Sequence, residues 1–279
     1  MAQHLYLTAS KVILLLIIVC ACVWLLGTHK VAALSLPELY THQCQVEGST
    51  GNKAFNVYVP TNWQAAKFGR ALCHDALKGT PYQSVTVSWQ PRESITSQAI
   101  LTQHFDALWI REHALSGLTP DWTHSYRTLV PLPSYPVYLF SHAPTLTLDY
   151  ASLAGLRFGL LSDSKSFSGY LALMDKLNQL GVSLPADKTQ FYPSRQAMVN
   201  AFIAGELDAI SSAGFTPELA QWPKAQKRVL THHAPMGNWY SRTTLTKTTE
   251  CALIEAVGLY TDAITNATHQ PFTMPPCTL

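Results

Sequence analysis

Residues 156–170 read LRFGLLSDSKSFSGY, and the fold turns on how this stretch is parsed. Residues 156–161, apolar apart from Arg157, read as a strand. Residues 163–166 supply turn formers, and 167–180 reads as a helix stopped by Gly181. A strand at 189–192 follows, Ser194 caps a helix to about Ala204, and 207–210 is a third strand. Strand-helix-strand-helix-strand at these spacings predicts parallel strands with right-handed crossovers.

The same order occurs about one hundred residues earlier. Phe55, Val57 and Val59 alternate with Asn56 and Tyr58 in a strand ended by Pro60. A helix is expected from Asn62 as N-cap to Leu77, stopped by Gly79, then a strand at 85–89, a helix at 93–104 and a strand at 106–110. The two units end alike, on Phe105-Asp106-Ala107-Leu108 and Leu207-Asp208-Ala209-Ile210. Two equivalent βαβαβ units predict two lobes. The segment before Phe55 reads as irregular. Between the lobes, Pro131, Pro133 and Pro136 make 129–141 an extended crossing strand. A return crossing is expected between Gly214 and Arg228, after which a strand at 229–231 and a helix at 250–264 pack back on the first lobe. The expected boundaries are 1–33 for a signal peptide or anchor, 34–135 for the first part of lobe 1, 136–222 for lobe 2 with its crossing segments, and 223–279 for the return to lobe 1.

With 19 basic and 17 acidic residues, the chain offers no electrostatic basis for a nucleic-acid partner. Lys11 precedes an uncharged apolar run at 12–26, which at ~1.5 Å per helical residue falls short of a ~30 Å hydrocarbon core. That length favours a signal-peptide core, with Val31-Ala32-Ala33 marking a cut after Ala33. The alternative is an uncleaved anchor, since Trp24, Leu25 and Leu26 extend the run. Either way the rest of the chain is expected outside the cytoplasm, in the periplasm or an equivalent compartment. Cys22, after Val19-Cys20-Ala21, gives a weak lipoprotein-like pattern. Cys20 and Cys22 lie in the export segment, leaving Cys44, Cys73, Cys251 and Cys277, an even number that favours disulfides in an oxidising compartment. Three pairings are open, and neighbourhood prefers Cys44 with Cys73 and Cys251 with Cys277. Buried free thiols are the alternative. No Cys-x-x-Cys or His-x-x-x-His spacing suggests a metal, and no cofactor is expected.

Four segments, in order, carry a resemblance: Pro136-Val137-Tyr138-Leu139-Phe140-Ser141, Leu156-Arg157-Phe158-Gly159, the serine-rich turn at 162–169, and Ala204-Gly205-Glu206-Leu207-Asp208-Ala209. Together they resemble the type II periplasmic solute-binding proteins of ABC transporters, especially the phosphonate- and phosphite-binding-like branch, over about Phe55 to Ile264. The resemblance implies an α/β clamshell of two βαβαβ lobes with two hinge crossings, a small anionic ligand in the cleft, and an ABC transporter permease as partner. The same fold also serves in sensing, with a membrane sensor as partner.

In open α/β sheets ligands bind beyond the carboxyl ends of the strands. The turn holding Ser164, Ser166, Ser168, Gly169 and Tyr170 offers hydroxyls and free amides at a helix N-terminus, which suit an oxyanion. The resemblance carries Ser166, Ser168 and Gly169 over as anion contacts. The plainer alternative is that Ser164 or Ser166 caps the helix. In the first lobe, Asn62, Trp89, Trp109 and Arg111 stand at strand ends, the tryptophans placed to wall a pocket and Arg111 to grip an anion. Their alternative is core packing for the tryptophans and solvation for Arg111. Tyr192 and Ser212 take the corresponding second-lobe positions. His232 and His233, adjacent on a strand, point to opposite faces and make no metal site. With no Gly-x-Ser-x-Gly, Gly-x-x-x-x-Gly-Lys or Gly-x-Gly-x-x-Gly motif, a binding protein rather than an enzyme is expected, an exported enzyme on the same scaffold being the weaker alternative.

Overall fold

The computed structural model describes residues 40–89, 92–268 and 271–277. The export segment, Cys20, Cys22 and the cut after Ala33 lie outside the described residues. Among the described residues no helix is long and apolar enough to cross a membrane.

Two mixed sheets organise the chain. The first contains β1 (Thr41–Gln45), β2 (Lys53–Tyr58), β3 (Tyr82–Ser88), β4 (Ala107–Ile110), β5 (Tyr126–Pro131) and β11 (Asn238–Arg242), in the order β1-β3-β2-β4-β11-β5. The second contains β6 (Tyr135–Ser141), β7 (Phe158–Leu161), β8 (Thr189–Tyr192), β9 (Ala209–Ala213) and β10 (Lys227–Ala234), in the order β10-β6-β9-β7-β8. β2 runs parallel to β3 and β4, and β7 parallel to β8 and β9. Next comes an antiparallel strand delivered from the other lobe, β11 beside β4 and β6 beside β9. Each lobe's own fourth strand, β5 or β10, pairs outside it. The duplication is therefore of whole sheets, with β1 an addition to the first.

Helices α1 (Ala65–Ala71), α2 (Ser97–Leu101) and α3 (Glu112–Leu118) belong to the first lobe, α4 (Tyr150–Leu153), α5 (Ala172–Gln179) and α6 (Arg195–Ile203) to the second, and α7 (Lys247–Val257) and α8 (Thr261–Thr268) follow β11. A π-helical turn, Leu72–Ala76, continues α1, and another, Phe167–Leu171, leads into α5. Short apolar strands suit this architecture: all four residues of β7 and of β4 are buried, as expected for parallel strands covered on both faces. Ser194 caps α6, accepting from the Ala197 N–H at 3.2 Å.

Several expectations need correction. α1 starts at Ala65 rather than beside Asn62, because Gln64 takes a left-handed backbone (φ 58°) just before it. The segment before Phe55 holds β1, antiparallel to β3. Its sequence Thr-His-Gln-Cys-Gln lacks apolar alternation, and the ladder and the Cys44–Cys73 disulfide hold it instead. Residues 129–141 form two strands in different sheets, with the first crossing at 132–134.

The return crossing does not fall between Gly214 and Arg228. β10 still pairs with β6, from Lys227 opposite Phe140 to Ala234 opposite Tyr135, so 227–234 belongs to the second lobe. The chain crosses back at 235–237, where Gly237 has φ 92° and a Cβ would sit 2.8 Å from the Ile110 carbonyl oxygen. Only glycine fits that passage. The Leu132 N–H donates to Asn238 Oδ1 at 3.0 Å, tying the two crossings together. Past α8, the Cys251–Cys277 disulfide fastens the tail to α7, and Phe272 and Met274 pack on the first-lobe core.

Candidate functional site

The turn after β7 is built by its own polar groups. Asp163 accepts from the Lys165 N–H through Oδ1 at 3.0 Å and from the Ser166 N–H through its carbonyl at 2.9 Å. Such a side-chain-closed turn is what aspartate favours. Ser166 Oγ accepts from the Gly169 N–H at 3.3 Å, so this buried serine acts as a cap. At Gly169 a Cβ would overlap the Leu161 side chain, and glycine lets the helical turn lie against the end of β7.

Three guanidiniums end on this one turn. Arg195, the first residue of α6, donates from Nη2 to Ser168 Oγ at 2.9 Å and from Nη1 to Ser212 Oγ at 2.8 Å. Ser212, fully buried on β9, is also 2.9 Å from Thr216 Oγ1. Arg111, just past β4, donates from Nη2 to the Lys165 carbonyl at 2.8 Å and lies 5.9 Å from the Phe167 ring centroid. Arg92 pairs with the Asp163 carboxylate. Arg92 and Arg111 belong to the first lobe and their partners to the second, so the turn is where the lobes meet.

Electrostatics distinguish the three. Burial pushes the Arg195 guanidinium below its ordinary range; Tyr135 opposes the shift and Arg92 adds to it. Burial does the same to Arg111, reinforced by Arg92 and opposed by Tyr135 and Tyr58. Among the described residues no carboxylate forms an ion pair with Arg111 or Arg195. A buried cation without a counter-charge is costly. Arg111 and Arg195 are half-buried and lack a carboxylate partner among the described residues, an arrangement that an anion stabilises.

Ser166, Ser168, Gly169, Arg111 and Ser212 are thus brought together around this turn. Ser164 and Tyr170 lie on the same turn without a hydrogen bond to these arginines, and the remaining expected residues make their contacts elsewhere. Trp109 fills the first-lobe core, stacked on Trp239 at 5.6 Å, with Nε1 donating to the Met236 carbonyl at 3.0 Å. Trp89 packs against the same core. Tyr170 packs against the second-lobe core, and Tyr192 donates to Gln190 Oε1 at 2.6 Å. Asn62 and Ser164 are exposed. The reason is common to the two tryptophans: Trp109 lies in β4 and Trp89 directly follows β3, and large apolar rings there gain more from the core than from a wet cleft.

Arg92, Arg195, Asp163 and Tyr135 were not among the expected site residues. One signal stood in the sequence for Arg195: a cation directly after the capping Ser194 opposes the helix dipole, so its place needs another cause. Among the described residues no cluster of three or more His, Cys, Asp or Glu is arranged to hold a metal. A separate groove of about 650 Å³, bordered by Tyr138, Phe215, Lys227 and Asn266, contains none of the three arginines.

Neither the family models nor the curated proteins include a match to this chain. Among solved structures, PhnD1 from Prochlorococcus marinus in complex with methylphosphonate is 16% identical, with a TM-score of 0.50 over 80% of this chain and 93% of that one. A binding protein component of an ABC phosphonate transporter from Pseudomonas aeruginosa is 18% identical, with a TM-score of 0.47 over 73% of each chain. The strand order common to its two sheets and the match to PhnD1 lead to one conclusion: the chain has the two-lobed α/β fold of the type II periplasmic binding proteins.

Proposed function

We propose that this chain is an exported solute-binding protein that captures a small anion, phosphonate- or phosphate-like, sulfonate or carboxylate, between its lobes and hands it to an ABC transporter permease. The observation that carries this reading is the pair of inward guanidiniums, Arg111 and Arg195, with only hydroxyl, carbonyl and ring partners among the described residues. The fold supports it, since PhnD1 of the same fold is in complex with methylphosphonate. The compartment is periplasmic or equivalent, in keeping with two disulfides. As a binder rather than an enzyme, it returns its ligand unchanged. Calorimetric titration of the exported protein with methylphosphonate, sulfate, methanesulfonate and acetate tests the reading. Saturable heat with at least one of them, and unaltered ligand recovered afterwards, is expected; no heat with any of them overturns it.

A second reading, a sensory module signalling to a membrane partner, is favoured by the apolar run at 12–26 if it is retained as an anchor. Mass spectrometry of the native N-terminus separates the two. A mature chain starting at Leu34 excludes the anchored form.

A further inference from the structure

Resting on the reading of this site as an anion site, we infer that its ligand carries two separate anionic groups, one for Arg111 and one for Arg195, as in a dicarboxylate or a phosphonocarboxylate. Charge counting comes first. Three guanidiniums converge on the turn and one carboxylate, Asp163, faces them, which leaves two positive charges uncompensated among the described residues. Asp163 is committed to Arg92, and its second oxygen to the Lys165 N–H at 3.0 Å.

Placement comes second. The two uncompensated groups are anchored apart: Arg195 spans Ser168 and Ser212 within the second lobe, while Arg111 reaches over from the first lobe to Lys165 and Phe167. The Arg92–Asp163 pair on the same turn is already neutral, so the two cationic poles are Arg111, held at Lys165, and Arg195, held at Ser168 and Ser212. One oxyanion head satisfies one pole and leaves the other half-buried cation unpaired. A ligand with an anion at each end satisfies both, and because the poles belong to different lobes it also couples its own binding to lobe closure.

Calorimetry on the exported protein, using 3-phosphonopropionate, succinate, methylphosphonate and propionate as probes, tests this. At least one of the two-headed probes should bind about 100-fold more tightly than either single-headed probe, the scale expected for pairing a second half-buried cation. Arg111→Met and Arg195→Met should each bring that probe down to single-headed affinity, with unfolding midpoints showing that both variants fold. If methylphosphonate binds as tightly as both two-headed probes and only Arg195→Met weakens it, the two-headed ligand is overturned while the anion site stands. If none of the four probes binds, the anion site itself falls, and this inference with it.

Discussion

Asp106 and Asp208 hold the same place in the two lobes. Asp106 accepts from the Asn56 N–H through Oδ2 at 2.7 Å and returns its own N–H to the Asn56 carbonyl at 2.7 Å. Asp208 does the same with Arg157, at 2.8 and 2.9 Å. Each thereby fixes the start of its lobe's third parallel strand against the first. An arginine faces each carboxylate, Arg242 at 2.9 Å from Asp106 and Arg157 at 2.7 Å from Asp208, but Asp106 is almost wholly buried and Asp208 one-third exposed.

The two aspartates should therefore titrate in opposite directions. Burial raises the Asp106 pKa against the lowering effect of the Asn56 N–H and Arg242, whereas the Arg157 hydrogen bond lowers that of Asp208. By linkage, Asp208 contributes stability above its unfolded-state pKa, and this is lost as pH falls through its depressed folded value. Asp106 contributes in the opposite sense: its share is present below the unfolded-state pKa and is lost as pH rises through the raised folded value. Carboxyl carbon NMR titration checks the directions. Asp208→Asn should flatten the acid side of the stability–pH curve, and shifts of the same sign at both residues would refute the assignment.

Ser168 and Ser212 position Arg195, and their removal should weaken anion binding without unfolding the protein. Each serine-to-alanine change should cost about 1 kcal/mol, the usual scale of one hydrogen bond. Because both act through the same guanidinium, the double variant should lose less or more than the sum by ~0.5 kcal/mol or greater, in a calorimetric double-mutant cycle. Strict additivity would mean that the serines do not work through Arg195.

Gly169→Ala should destabilise by about 1–3 kcal/mol, the range for overpacking a filled interior. The added methyl meets Leu161. Leu161→Ala removes that neighbour, so the double variant should be more stable than the two separate losses predict. Urea denaturation of the four proteins measures the coupling, and its absence would show that Gly169 is required for another reason.

Replacing Cys44 and Cys73 by serine should cost about 3–4 kcal/mol on the chain-entropy scale for a closed loop of this size. The residues are 29 apart in sequence, and the bridge holds the polar edge strand β1 to the helical turn after α1. A fall in the urea midpoint of the oxidised protein relative to the variant would contradict this. Hydrogen exchange should further show β1 losing protection before β2 and β3 do.

The duplicated units were legible because strand and helix periods are local: alternation in 55–59, the mostly apolar run 156–161 and the repeated Phe-Asp-Ala-Leu and Leu-Asp-Ala-Ile endings all became the elements they suggest. Disulfide neighbours were legible for a similar reason, since short loops bring nearby cysteines together. β1 was not, and the strand expected at 229–231 was legible as a strand, now β10, but not its sheet. β1 is a polar strand that exists through its pairing with β3, and β10 stays in the second sheet because β6 offers it a ladder that no local pattern announces.

The serine-rich turn was visible in the sequence alone, as was the capping alternative for Ser166, whereas the steric reason for a glycine at 169 came from its packing on Leu161. Only the tertiary structure decided what the turn faces. Trp89 and Trp109 went to the core, where apolar burial outweighs any contact at a cleft. Arg92, Arg111 and Arg195 lie far apart in the chain, and their convergence on the turn depends on two sheets being set against each other across the crossings at 132–134 and 235–237. Charge at a site sums over neighbours in space. Sequence order cannot perform that sum, because Coulomb attraction depends on distance through the fold and not along the chain.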